Sequence, residues 1–354
     1  MRRLFVGWLV LFSAPLWAGD GTSAFPLLQF PPDVRGLALG QTGTARAGDA
    51  AAGAANPAVL GSVSRGEVLF SQSQWVETTK LQSVLAAVPT LDHGAGYLRV
   101  QSADFGDLDG YDSTGGPTGK TSARDLLVEA AWGKRVLSEW SWIGMGVGYA
   151  QEKLGESMSD ATYLNAGGLV QLPPVGWVSD THVGLSLQQW GPKTDGHTPL
   201  AQEVRVGLTS QVRRLAASFD LRQSRNQSLR PHAGVEFAAW PTVAFRIGYA
   251  GSLAPESRWS YGMGFRTGDL GVDYTFLPLG NLGDTHHLGL SWHFGRLVEK
   301  HLERGEDALR NEMPDKAVIH FGRALSADPQ NQRAIRGLRE AEKQMRKQWP
   351  DDTP

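Results

Sequence analysis

The feature that most constrains this chain is a period of two. From about residue 66, apolar residues alternate with polar or small ones in segments near ten residues long, separated by turn residues. In 242–250, Val243, Phe245, Ile247 and Tyr249 share one face, while Thr242, Ala244, Arg246 and Gly248 share the other. The same dyad recurs in 286–294, in 214–222 and in 143–149, where Ile143, Met145, Val147 and Tyr149 alternate with Gly144, Gly146 and Gly148. Fourteen such segments follow one another: 67–75, 80–89, 94–103, 121–134, 141–153, 160–172, 180–190, 201–210, 213–222, 230–239, 242–251, 258–267, 269–277 and 285–295. An even number of ten-residue alternating strands predicts an all-β transmembrane barrel of about 14 antiparallel strands. Connections such as 104–120, 191–200 and 252–258 are long and alternate with tight ones such as Trp240-Pro241, with 173–179 out of step. A soluble sandwich would also alternate. Trp75, Trp140, Trp190, Trp240 and Trp259, however, stand near segment ends, which suits aromatic girdles at two membrane surfaces.

The ends of the chain differ from its middle. Arg2 and Arg3 precede an apolar run from Leu4 to Trp17, with Ala18 as a small residue for cleavage, so residues 1–18 read as a secretory signal peptide. There is no cysteine, so neither disulfides nor thiolate metal sites hold the fold. The net charge of -2, with no basic stretch, argues against a nucleic-acid partner. Beyond the signal no apolar run is long enough for a membrane-spanning helix. The 43 glycines and 12 tryptophans then need a fold that uses them.

Residues 35–60, RGLALGQTGTARAGDAAAGAANPAVL, are small and end in Asn56-Pro57-Ala58. This segment resembles the N-terminal part of the PorV/PorQ family, within the wider FadL-like barrels. So do 104–136, 234–250 and 270–295, and together the blocks cover nearly the whole barrel. The resemblance implies that 19–65 is a plug or hatch closing the barrel of 66–295, with Asn56, Pro57 and Ala58 as its motif. The last strand is similar to the signal read by the outer-membrane barrel-insertion machinery, with His287, Gly289, Trp292 and Phe294 on the pattern, although some sixty residues follow.

After Gly295 the period changes to a helical one. Residues 298–331 resemble a tetratricopeptide repeat through Gly305, Ala308, Ala317, Phe321, Ala324 and Pro329, and a charged helix over about 331–347 would cap it. Residues 296–354 therefore read as a small helical domain, periplasmic because an even strand count returns the chain to its starting side.

Chemistry-bearing clusters are few. Asp104, Asp107, Asp109 and Asp112 surround Gly110, but Phe105 stands where a calcium loop needs its first ligand, so they read as a solvated acidic loop. His286 and His287 are adjacent on a strand and point to opposite faces. Gly144, Gly146 and Gly148 precede no helix, so they are not a nucleotide loop, and they leave lumen space for the plug. No catalytic arrangement, metal site or cofactor is expected. One lumen pair is: with Phe237 and Phe245 facing lipid, parity across a three-residue loop Trp240-Pro241-Thr242 places Ala239 opposite Val243 and Glu236 opposite Arg246. In a partly wet lumen that ion pair is expected to contribute under about 1 kcal/mol.

Two functions compete. The family resemblance implies an accessory barrel of protein secretion or surface display, binding exported proteins, with the tail contacting periplasmic or secretion components. The alternative is a FadL-like channel for small hydrophobic solutes or lipids. A lumen with apolar lining near the plug would favour the channel; a polar, filled lumen with a large external apolar patch would favour the accessory role. Either way the partners include outer-membrane lipids and the insertion machinery.

Overall fold

The computed structural model describes residues 24–75, 79–90, 94–111, 114–178, 180–192, 198–225, 227–251, 258–327 and 331–348. Residues 1–18, the expected signal peptide, residues 19–23, Asp112 and Pro329 lie outside them. Fourteen strands pair in sequence order and β1 closes against β14, giving one closed antiparallel barrel. The strands are β1 Arg65–Gln74, β2 Lys80–Thr90, β3 Gly94–Tyr111, β4 Pro117–Arg135, β5 Ser141–Leu154, β6 Ser157–Leu172 and β7 Asp180–Trp190. They continue as β8 Glu203–Val212, β9 Leu215–Ser224, β10 Arg230–Trp240, β11 Val243–Ala250, β12 Trp259–Thr267, β13 Leu270–Pro278 and β14 Asp284–Arg296. Closure leaves no edge strand, which is the condition for a sheet in hydrocarbon, where water satisfies no backbone group. Among the described residues no helix is long and apolar enough to cross a membrane.

Alternation divides the wall into two surfaces. Outward faces carry Val84, Leu98, Ile143, Met145, Leu185, Phe237, Phe245, Met263 and Leu290, all exposed. Trp132, Trp140, Trp190, Trp240, Trp259 and Trp292 are exposed with them. Trp75 departs from the expected girdle. It is half-buried and packs edge-on against Phe30, ring centroids 5.1 Å apart.

Two further expectations are corrected. Most of 104–120 is not a loop: β3 runs to Tyr111 and β4 starts at Pro117, with Asp104 facing Arg124 across the hairpin. Ten or so residues cross the hydrocarbon, so the outer parts of these strands stand clear of it. Both their faces meet solvent, which erases the alternation that marks a strand. At the β10–β11 hairpin, Trp240 rather than Ala239 faces Val243, and the register shifts between Ala238 and Trp240. The turn has two residues, Pro241 and Thr242, and Ala239 is the bulge; this keeps Trp240 outward.

The chain leaves β14 directly into helices: α2 Leu297–Arg310, α3 Pro314–Ala327 and α4 Gln332–Gln348, where α1 is the short helix Val34–Ala38. Phe321 is fully buried between them, with Ala308, Ala317, Ala324, Ala334 and Ala341 around it. Gly305 and Gly337 lie against its ring: a Cβ on Gly305 would come within 2.8 Å of Phe321. Small residues at these points let the three helices close on one aromatic side chain.

Candidate functional site in the barrel lumen

The N-terminal segment from Ala24 to Ser64 runs inside the barrel. It starts at the mouth where the longer connections gather, as Ala24 bridges Leu200 with its N–H on Pro199 O at 3.2 Å. A tight helical turn at Pro26–Gln29 follows. Next comes α1, capped by the Asp33 carboxylate on Gly36 N at 2.6 Å. Two more such turns, Ala51–Ala54 and Pro57–Ser62, lead to the opposite end and into β1.

Backbone inside a barrel must find partners for its polar groups, and here the wall supplies them. Ser71 donates to Pro32 O (2.7 Å), Thr275 to Val34 O (2.8 Å) and Ser260 to Ala38 O (3.2 Å). Gln188 donates to Ala55 O (2.9 Å), Gln189 to Leu28 O (2.7 Å) and Arg222 to Gln41 O. The Asp220 carboxylate accepts from Gly43 N (3.0 Å), Thr44 N (3.1 Å) and Thr44 Oγ1 (2.7 Å).

The glycines of the wall make this approach possible. A side chain on Gly133 or Gly144 would overlap the backbone of Pro57, one on Gly184 would overlap Thr44 O, and one on Gly248 would overlap Gly40 N. Gly40 itself sits at φ 64° between the backbones of Ala233 and Tyr249, where a Cβ would collide on both sides. Of the glycines read as leaving lumen space, Gly144 lies against the segment, whereas a side chain on Gly148 would strike Tyr163.

Asn56 is fully buried and makes three hydrogen bonds. Its Nδ2 donates to Thr44 O (2.7 Å) and to Gly168 O on β6 (3.0 Å), and its Oδ1 accepts from Ala58 N (3.0 Å). Gly167 beside it has no room for a side chain. Asn56 thus ties two parts of the segment to each other and to the wall. Pro57 occupies the first position of the next turn, where no N–H is needed, and Ala58 is fully buried.

Glu236 and Arg246 are direct cross-strand partners, with Arg246 Nε on Glu236 Oε2 at 2.5 Å. They are not an isolated pair. Arg35 of α1 grips Glu236 with Nε and Nη2, both at 2.9 Å, and reaches Asp49 with Nη1 at 2.7 Å. Arg46 pairs with Asp49 (2.8 Å) and Asp33 (3.1 Å), and Arg246 also reaches Asp273 (2.5 Å). Seven charges thus run in one chain, Asp33–Arg46–Asp49–Arg35–Glu236–Arg246–Asp273, from the N-terminal segment across β10 and β11 to β13. Burial pushes the Asp49 carboxyl upward, but the Arg46 and Arg35 guanidiniums outweigh it and hold the group below its ordinary value. A second buried knot centres on Glu129, which accepts from Tyr97, from Tyr163 at 2.7 Å and from Arg99 at 2.8 Å.

Above these polar layers the lining is apolar. Phe25, Leu27, Leu28 and Leu200 pack with Leu81, Ala103, Leu127, Ala150, Ala161 and Tyr163 at the long-connection mouth. Ala50, Leu60, Leu69, Leu85 and Tyr97 form another apolar cluster lower down. The loop before β8 contributes because Leu200 and Ala201 fold inward instead of starting a strand.

The remaining expected residues are placed as follows. His287 and Gly289 face the lumen, Gly289 against Val34, while Trp292 faces outward with Phe294 beside it at 5.2 Å. His286 faces outward against Tyr274. Arg35, Asp49, Arg46, Asp33 and Asp273 were not foreseen. The only sequence signal for them is charge inside a small-residue segment or on an inward strand face. Among the described residues no group of three or more His, Asp or Glu could hold a metal.

No family model matches the chain, and no curated protein matches it. The fold is similar to that of the toluene transporter TbuX of Ralstonia pickettii: TM-score 0.51, 15% identity, over 77% of this chain and 100% of that one. The toluene transporter TodX of Pseudomonas putida aligns at TM-score 0.46 and 10% identity, over 79% of this chain and 98% of that one. A FadL homologue of Pseudomonas aeruginosa aligns at 0.45 and 10%, over 74% and 98%. These structural neighbours are FadL-type outer-membrane barrels, transporters and channels rather than enzymes, and at such identities the likeness is one of fold.

Proposed function

We propose that this chain is an outer-membrane channel for small hydrophobic solutes, with residues 24–64 as its hatch. The observation that carries the reading is the apolar lining around the N-terminal segment: Phe25, Leu27, Leu28, Leu81, Leu127, Tyr163 and Leu200 at the mouth, and Leu60, Leu69 and Leu85 lower down. Apolar lining beside the plug is the feature that favours a channel. The barrel likeness to TbuX, a toluene transporter, supports it. The Asn56-Pro57-Ala58 turn and the ion chain through Glu236 hold the hatch seated. The narrower likeness to PorV and PorQ rests on sequence blocks alone, and no structural observation favours a secretion role.

The end shared by Arg65 and Arg296 is the periplasmic one in this reading, which puts α2–α4 in the periplasm. There the helices, arranged like one tetratricopeptide repeat with a capping helix, are available to a periplasmic protein. Gly289, Trp292 and Phe294 on β14 serve barrel insertion. The test is uptake of radiolabelled toluene by cells that lack their own aromatic transporters and carry this gene. The expected result is faster uptake than in empty-vector cells, and equal rates would refute the channel.

A further inference from the structure

Asp125 on β4 stands directly opposite Glu152 on β5. Both belong to the inward faces of their strands. Leu127 and Ala150, two positions along and opposite each other, are buried in the apolar cluster at the long-connection mouth. Like charges placed directly opposite destabilise an antiparallel pair, and no protein cation offsets this one. Among the described residues Glu152 is the only charged group that acts on the Asp125 carboxyl. Neither carboxylate accepts a hydrogen bond or joins an ion pair. The adjacent bases Arg124 and Lys153 alternate to the outward face and are exposed there, with Arg124 on Asp104 at 3.1 Å. On the other side of Asp125 the strand β3 offers only Ala103. Asp125 is 5% exposed, yet its oxygens are not sealed from the mouth, and Glu152 is half-buried.

A proton would remove one of the two charges; a divalent cation offsets both. Directly beneath, Leu127 and Ala150 are packed in one cluster with Phe25 and Leu200, which leaves an organic ammonium no place for its body. A metal ion with its own water needs none. Two carboxylates do not supply the strict octahedron that Mg²⁺ demands, whereas Ca²⁺ accepts irregular shells of roughly six to eight oxygens, water included. We propose that Asp125 and Glu152 bind one calcium ion at the long-connection mouth, tying β4 to β5 over the apolar cluster. The site does not depend on what the lumen carries.

Equilibrium dialysis of the chelator-treated full chain in detergent against radiolabelled calcium, at constant ionic strength, tests it. One ion per barrel is expected, with a dissociation constant on the order of 1 mM or below and poor competition by Mg²⁺. Asp125→Asn and Glu152→Gln should each weaken calcium binding at least about ten-fold. Asp107→Asn and Asp109→Asn, in the neighbouring solvated hairpin, should leave it unchanged. Thermal unfolding adds a second readout. Without calcium both D125N and E152Q should melt above the wild type, because either removes the repulsion, and calcium should raise the midpoint of the wild type alone. No binding above protein-free micelles, equal displacement by Mg²⁺, or wild-type binding in folded E152Q would overturn the site. A wild-type midpoint that rises on mild acidification but not with calcium would overturn it too, since a proton alone then relieves the pair. If neither pair variant folds, the wild-type midpoint in calcium against magnesium decides.

Discussion

Replacing Glu236 by Gln removes the node that joins the hatch to the wall. The carboxylate accepts three hydrogen bonds, two from Arg35 and one from Arg246, and both guanidiniums are largely buried. Breaking a buried ion pair by deleting one partner costs about 3–5 kcal/mol, because the surviving charge stays buried. Arg35 keeps Asp49 and Arg246 keeps Asp273, so the low end, about 3 kcal/mol, applies. That exceeds the figure of under about 1 kcal/mol expected for an isolated wet pair, since the pair is one link of a buried chain. At about 1.4 kcal/mol per decade, a seated hatch should open about 100-fold more often. Single-barrel recordings in planar bilayers should show this as more frequent conducting events in E236Q. Pairing it with Arg35→Gln should recover part of the loss, as a double-mutant cycle between contacting residues requires. E236Q recordings that match wild type, with the barrel folded, would refute the latch.

Three more outcomes are expected. Deleting residues 19–60 should give a steady ion conductance in bilayers, and an unchanged closed trace would mean that something else seals the lumen. Asp49 is held below its ordinary value of 3.8, so its contribution to hatch seating is fully present above that pH and is lost as pH falls below it. Burial holds the Asp33 carboxyl of the same ion chain above its ordinary value, so the Asp49 contribution is isolated in Asp33→Asn, whose conductance should stay flat from neutral pH down to about 4 and rise on further acidification; a rise near neutrality in that variant would contradict this. On intact cells a tag at Gly115 should be accessible to antibody while protease leaves 298–347 uncut, and the reverse pattern would invert the topology.

What could be read from the chain follows from where periodicity carries information. Lipid on one face and a filled lumen on the other make most outward positions apolar, so Phe237, Phe245, Ile247 and Leu290 announce their strands, and parity alone aligns Glu236 with Arg246. The outer halves of β3 and β4 carry no such signal, because solvent wets both faces of Leu108 and its neighbours. The Ala239 bulge was hidden because the same two strands could be joined by a three-residue loop with even parity. The partners of Glu236 on the hatch were hidden for another reason: Arg35 lies 201 residues away in sequence, and no local pattern links a small-residue segment to the strand it will touch. The glycines of the wall read as unusual composition, and only the packed hatch gives Gly144, Gly167 and Gly184 their reason.

The central claim is that the hatch must move for solute to pass, and a reversible tether tests it. The chain has no cysteine, so a pair introduced by Val34→Cys and Gly289→Cys has no competitor. The two β-carbons would lie about 3.2 Å apart, close to the distance a disulfide spans. Toluene uptake should be lost when the pair is oxidised and should return on reduction with a membrane-permeant thiol. Uptake that continues at the wild-type rate with the tether closed would contradict the account.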